Sequence, residues 1–155
     1  MEVLVKYHSD KARPVEQAHP GEWLDLRTAK EYQLLKGEHA FLDLGVSIKV
    51  PHGFEAIMAP RSSTFKKYGI LQTNGIGVID ETYSGENDVL KMSVYATRNI
   101  IIPAGERIAQ FRIQPNQGIV PVREVEHMDG PDRGGFGSTD DKPAYTKKTL
   151  GSGLG

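Results

Sequence analysis

The chain has no cysteine, which excludes disulfides and thiolate-bound metals. Neither sign of charge dominates, since 19 basic residues stand against 20 acidic ones for a net charge of −1. Without a basic field, nucleic acid lacks its usual electrostatic footing, and a phosphate ligand must be held by a few placed cations. No apolar run approaches membrane-spanning length, and the opening MEVLVKYHSD has no secretory apolar core. These absences point to a soluble protein of the cytoplasm, with no membrane and no nucleic acid as partner. The five histidines show no ligand spacing and read as surface or packing residues. No stretch carries the periodicity of a three-turn amphipathic helix.

What remains is a β pattern. At 155 residues and 38% hydrophobic content, the chain suffices for one domain with a real core. Turn signals recur about every ten residues, the spacing of an all-β barrel or sandwich. Strands are expected over residues 2–7, with Val3, Val5 and Tyr7 on one side, and over Trp23–Arg27. Phe41–Val50 and Phe54–Ala59 read as a hairpin about Pro51-His52-Gly53. Further strands fall at 89–97, 100–102, 107–113 (Ile108, Phe111 and Ile113 inward) and 119–125. One short helical piece follows Pro60, capped by Ser62 or Ser63 and stopped at Gly69. From Asp129 the chain turns glycine-rich, charged and poor in apolar residues, too little to order itself alone. The expected division is a β domain over 1–128 and a flexible arm over 129–155.

Chemistry concentrates in Gln72–Asp88, QTNGIGVIDETYSGEND. Gly75 and Gly77 precede Val78-Ile79 in what reads as a hairpin, and glycine admits a flat ligand where a Cβ would collide. Asp80 beside such a cleft can take a proton from water, and Tyr83 offers an apolar face to a ring. An ordinary hairpin with a surface acid is the plainer reading of that stretch alone. Arg61-Ser62-Ser63 at a helix start outlines an anion site, or only a cap. Asp25, between apolar neighbours, either caps a turn, pairs with Arg27, or orients a water or ion. Arg107 and Gln110 are the polar members of a packable strand. Arg133–Thr139 joins a cation, flexible backbone, one aromatic ring and two hydroxyls, without the P-loop ending. It is a plain tail, or a lid in which Phe136 covers a base and Arg133 grips phosphate.

Five blocks in order resemble the trimeric dUTPase family, the deoxyuridine triphosphate pyrophosphatases. They are residues 21–29 (GEWLDLRTA), Pro60-Arg61-Ser62-Ser63, residues 77–86 (GVIDETYSGE), residues 105–110 (GERIAQ) and Arg133–Thr139. The resemblance implies a jelly-roll-like β-barrel, a homotrimer with active sites shared between subunits, and Mg²⁺-assisted hydrolysis of dUTP to dUMP and pyrophosphate. Such an activity keeps uracil out of DNA and supplies dUMP for dTMP synthesis. By position, Asp80 would activate the attacking water and Tyr83 would lie under the deoxyribose. Asn74, with backbone near Gly77 and Ile79, would read uracil. Arg61, Ser62, Ser63 and Gln110 would hold phosphates, and Asp25 would touch a Mg²⁺-bound water. Phe136 would stack on the base while Arg133, Ser138 and Thr139 close on the triphosphate.

The chain departs from the family pattern at several places. Trp23 stands where a small residue is usual, Arg133 sits two residues nearer the aromatic, and Asp140 replaces a closing glycine. Asn87-Asp88 looks inserted. One alternative is dCTP deaminase, which shares the fold but whose third block carries proline and glycine where this chain has Glu81-Thr82-Tyr83. Another is a regulatory protein that binds dUTP or a protein partner, with Glu86–Arg98 as its surface.

Overall fold

The computed structural model describes residues 1–138 and is built almost entirely of short strands. In chain order these are β1 (Leu4–Tyr7), β2 (Leu24–Arg27), β3 (Tyr32–Leu34), β4 (His39–Lys49), β5 (Phe54–Pro60), α1 (Thr64–Tyr68), β6 (Ile70–Gln72), β7 (Gly77–Ile79), β8 (Val89–Ala96), β9 (Ile100–Ile102) and β10 (Arg107–Pro115). There are two four-stranded sheets, β1-β4-β8-β6 and β2-β10-β5-β7, and a separate small pair β3-β9. The pairings are antiparallel. Strict alternation along β8 buries Leu90, Met92, Val94 and Ala96 and exposes Lys91 and Tyr95, as one covered face requires. Leu42, Val46 and Met92 from the first sheet meet Leu26, Ala56, Ile108 and Phe111 from the second in one dry core. The chain forms a compact unit over Met1–Ile119, and a second unit begins at Val120. Among the described residues, no helix is long and apolar enough to cross a membrane.

Three sequence expectations need correction. β4 and β5 are not a hairpin: β4 pairs with β1 and β8, and β5 with β10 and β7. The Pro51-His52-Gly53 turn therefore carries the chain between sheets. The same holds for the glycine-bearing stretch, because β6 pairs with β8 while β7 pairs with β5. Period-2 alternation reports which face is buried but not which neighbour completes the ladder. Residues 119–125 form no strand; Ile119 and Val122 stand open to solvent, and Pro121 among them has no N–H for a ladder. The strand β3 went unread because three residues carry too little pattern.

The helix is where the sequence placed it. Ser63 is its N-cap, but its side chain makes no capping bond. Gly69, in the left-handed region at φ 61°, closes it by donating to the Phe65 carbonyl at 2.7 Å. Buried Thr64 takes over the anchoring. Its Oγ1 accepts from the Arg61 N–H (3.0 Å) and donates to the Ile108 carbonyl (2.7 Å), fixing the Arg61 backbone against β10.

Candidate active site

Two clefts of similar size carry several of the residues singled out from the sequence. The first, about 200 Å³, lies where β7 faces β8 and is lined by Met58, Asn74, Gly77, Ile79, Tyr83 and Leu90, among others. Its wall is close-fitting because Gly77 opposes Met58 across the ladder. A Cβ on Gly77 would stand 3.0 Å from Met58 Cε and 3.2 Å from Met58 Cβ. Gly77→Ala is accordingly expected to narrow the cleft and lower kcat/KM by about 10–100-fold, because sub-ångström misplacement is costly. Steady-state kinetics beside a melting curve would separate that loss from unfolding. Gln72 braces the connection before β7, donating from Nε2 to the Gly75 carbonyl at 3.2 Å and the Met58 carbonyl at 3.4 Å. Sequence reasoning missed this role. Tyr83 is held at both ends: its N–H donates to the Asp80 carbonyl (3.0 Å) and its hydroxyl to the Val89 carbonyl (3.1 Å). The residue is 42% exposed, and these two bonds orient its ring as a platform.

Asp80 follows directly on β7. Its Oδ1 accepts from the Thr82 N–H and the Thr82 hydroxyl, each at 2.7 Å, an Asx-turn. Both bonds favour the ionised form, the backbone one most, and hold the carboxyl below the ordinary aspartate value of 3.8. Among the described residues no hydrogen bond engages Oδ2, the oxygen that can receive a proton from water.

The second cleft, about 210 Å³, is lined by Gly21, Trp23, Asp25, Arg61, Ser62 and Gln110 with their neighbours. Asp25 is 4% exposed. Its Oδ1 accepts from Arg61 Nε at 2.9 Å and its Oδ2 from an Arg107 terminal nitrogen at 3.3 Å. The pairing with Arg27 expected as one reading is therefore wrong, since Arg27 donates instead to the Gly105 carbonyl at 3.0 Å. The true partners lie far off in the chain, where spacing gives no hint of them. Two guanidiniums on one carboxylate leave net positive charge beside Ser62, the electrostatics of an anion site. Gln110 sits opposite Asp25 in the ladder, and its Nε2 donates to the Pro60 carbonyl at 3.2 Å. Ser63, half-buried at the head of α1, is not among the lining residues. Arg107, read from the sequence only as a polar strand member, completes the bracket on Asp25. Behind it, the Tyr68 hydroxyl donates to Glu106; burial first, then that carboxylate, push its pKa up to about 12. The bond ties residues 105–110 to α1.

The two clefts share no lining residue. In the second unit, Arg133, Phe136 and Ser138 are exposed. A turn closed by the Ser138 N–H on the Gly135 carbonyl (3.0 Å) holds Phe136 at φ 52° with its ring in solvent. Thr139 lies outside the described residues. In the loop that carries Asn87-Asp88, Asp88 Oδ2 accepts the Gly85 N–H at 2.8 Å. Next to it, Glu86 pairs with Lys6 and its carbonyl accepts from Ser47 Oγ at 2.9 Å.

The chain is 42% identical over 142 residues to the SPbeta prophage-derived deoxyuridine 5′-triphosphate nucleotidohydrolase of Bacillus subtilis, covering 92% of this chain and 100% of that protein. It is 35% identical to the deoxyuridine 5′-triphosphate nucleotidohydrolase of Streptomyces coelicolor, over 90% of this chain and 77% of that one. In fold it resembles a mutant dUTPase of Staphylococcus bacteriophage 80alpha solved with dUpNHpp, at a TM-score of 0.75 and 23% identity, covering 89% of this chain and 98% of the other. A mutant dUTPase of phage phi11 of S. aureus, whose structure describes a structural Mg(II) ion, matches at a TM-score of 0.71 and 19% identity, over 84% and 100%. The architecture is thus the jelly-roll-like one of those neighbours. With the dUTPase family model matching residues 18–140, the chain belongs to the dUTPase family.

Proposed function

We propose that this protein hydrolyses dUTP to dUMP and pyrophosphate, as a homotrimer in the cytoplasm, with Asp80 activating the attacking water. The observation that carries the reading is the pair of clefts. One is a narrow slot with a backbone wall and a tyrosine platform, beside an ionised carboxylate; the other is a hydroxyl- and guanidinium-lined anion site. Sharing no residue, they become one site when the slot of one copy meets the anion site of another. The slot takes uracil and deoxyribose, with Asn74 and the backbone about Gly77 and Ile79 on the base edge and Tyr83 under the sugar. Arg61, Ser62, Ser63 and Gln110 take the phosphates. Residues 129–155 serve as an arm, in which Phe136 stacks on the base while Arg133, Ser138 and Thr139 close on the triphosphate.

In the reaction, the water oxygen bonds to the α-phosphorus as the bond from that phosphorus to the β-phosphate bridging oxygen breaks. The water's proton passes to Asp80 Oδ2. The preset Asx-turn means that the carboxylate need not reorient at the moment of transfer. Among the described residues no three acidic or histidine side chains gather, so the donor set suits a metal that arrives on the triphosphate. Mg²⁺ bound in that way would keep several waters and would supply positive charge to the triphosphate. Asp25 accepts one arginine on each oxygen, and a remaining lone pair would accept from such a water, with no bond to the ion itself.

Pyrophosphate release from dUTP, with and without Mg²⁺, tests this reading. Ammonia release from dCTP tests the deaminase alternative, and is expected to be absent. Acid dependence adds a finer check. Because hydrogen bonds from Thr82 lower the Asp80 pKa, the acid limb of the kcat/KM profile should fall below 3.8, the ordinary aspartate value. Thr82→Val removes the hydroxyl donor and keeps the backbone one, so the limb should move to higher pH. A limb that stays in place would mean that another group governs it.

A further inference from the structure

We infer that Glu81 is a positioning residue for the water-activating carboxylate, clasping the Asp80 turn to two other segments of the barrel; the inference rests on the base role proposed for Asp80. The need for a clasp follows from topology. β7 is three residues long and sits at the end of the order β2-β10-β5-β7, so among the described residues only β5 pairs with it. An edge strand that short frays at its end, and Asp80 is the first residue beyond it. Glu81 supplies the missing hold. Its Oε2 accepts from the Gly53 N–H at 3.0 Å and from Asn116 Nδ2 at 3.2 Å. Its Oε1 accepts from His52 Nδ1 at 2.5 Å. Gly53 and Asn116 are themselves joined, the Asn116 N–H donating to the Gly53 carbonyl at 2.9 Å. One carboxylate thus gathers the β4–β5 turn, the residue after β10 and the catalytic turn into a single knot.

The donors are not equal. His52 is 96% exposed at its side chain, whereas that of Glu81 is 30% exposed, and an open ion pair of that kind contributes little. The Gly53 N–H is the firmer donor because it belongs to the backbone, and it is also the first cause of the lowered Glu81 pKa, ahead of His52. Gly53 reaches this geometry at φ 83°, a region that side-chain-bearing residues seldom adopt. With Oδ1 of Asp80 fixed by Thr82 and the next residue fixed by Glu81, the free oxygen is constrained from both sides of the turn.

The test uses Glu81→Ala, Glu81→Gln, His52→Ala and Asn116→Ala in the full-length protein, with kcat and KM for dUTP, affinity for a non-hydrolysable dUTP analogue, and melting temperature. Glu81→Ala should lose about 10–100-fold in kcat, the scale of a misplaced catalytic group, with KM and analogue affinity held within about twofold. Glu81→Gln, whose oxygen still accepts from Gly53, should recover most of the loss. His52→Ala should stay within about twofold of the parent, as expected for an exposed pair. Should Glu81→Ala fold poorly, Asn116→Ala removes one donor and should show a smaller loss confined to kcat. An undiminished kcat in Glu81→Ala, a glutamine variant no better than alanine, or losses shared between kcat and KM would overturn the inference. Asp80→Asn, run alongside, keeps the two ideas apart. An inactive Asp80→Asn beside a fully active Glu81→Ala removes only the clasp, while an active Asp80→Asn removes the base reading itself.

Discussion

Replacing Asp80 with asparagine should abolish most turnover, lowering kcat by about 10²–10⁴-fold, the usual worth of a general base. Binding of dUTP should survive. The substitution is close to isosteric, and the asparagine oxygen still accepts from the Thr82 N–H and hydroxyl that fix Oδ1 in the parent. The turn, the Tyr83 N–H bond to the residue-80 carbonyl and the slot wall at Gly77 and Ile79 all stay in place. What changes is the second atom: an oxygen able to receive a proton becomes an amide nitrogen that cannot. The expected signature is therefore a fall in kcat and kcat/KM together, with dUTP affinity by calorimetry nearly unchanged. Turnover near the parent level would remove Asp80 from the base role. Loss of binding instead would make it a structural cap, the plainer reading of an Asx-turn.

How far the site could be read from sequence depended on whether its parts are local. Asp80, Tyr83, Gly77 and Ile79 lie within one short stretch, and the structure gathers them with Asn74 at one slot and the turn after it. The Gly69 helix stop and the inward Ile108 and Phe111 were equally legible. Pairings between distant segments were not. Alternation in β4 and β5 gave their faces but not their partners, so two connections between sheets looked like hairpins. Asp25 was noticed, yet its bracket by Arg61 and Arg107 exists only once β2, β5 and β10 lie side by side. Glu81 showed nothing in sequence, because its partners His52, Gly53 and Asn116 come from two other segments.

Discrimination among nucleotides should be steep, with kcat/KM for dUTP exceeding that for dCTP by about 10⁴-fold, the scale reached when a site's fixed polar groups are left unpaired. The argument turns on what reads the base. An asparagine side chain such as Asn74 can turn its amide over and present oxygen or nitrogen as the base requires, so by itself it separates uracil from cytosine poorly. Backbone cannot turn over. β7 is registered against β5 at Gly77↔Met58, Val78↔Ile57 and Ile79↔Ala56. Among the described residues no strand pairs with its side away from β5, at the slot that also touches Leu90 and Lys91 of β8. Uracil offers a ring N–H donor where cytosine has a bare nitrogen, and a carbonyl where cytosine has an amine. A fixed donor and acceptor row satisfied by one is therefore mismatched twice with the other. The close contact of β7 with Met58 leaves little slack for the backbone to withdraw from thymine's methyl. Swinging the Tyr83 ring aside for a 2′-hydroxyl would break its hydroxyl's bond to the Val89 carbonyl, so dTTP and UTP should also be poor substrates. Pyrophosphate release measured on all four nucleotides at equal concentration checks this, and comparable rates would contradict a slot read by backbone.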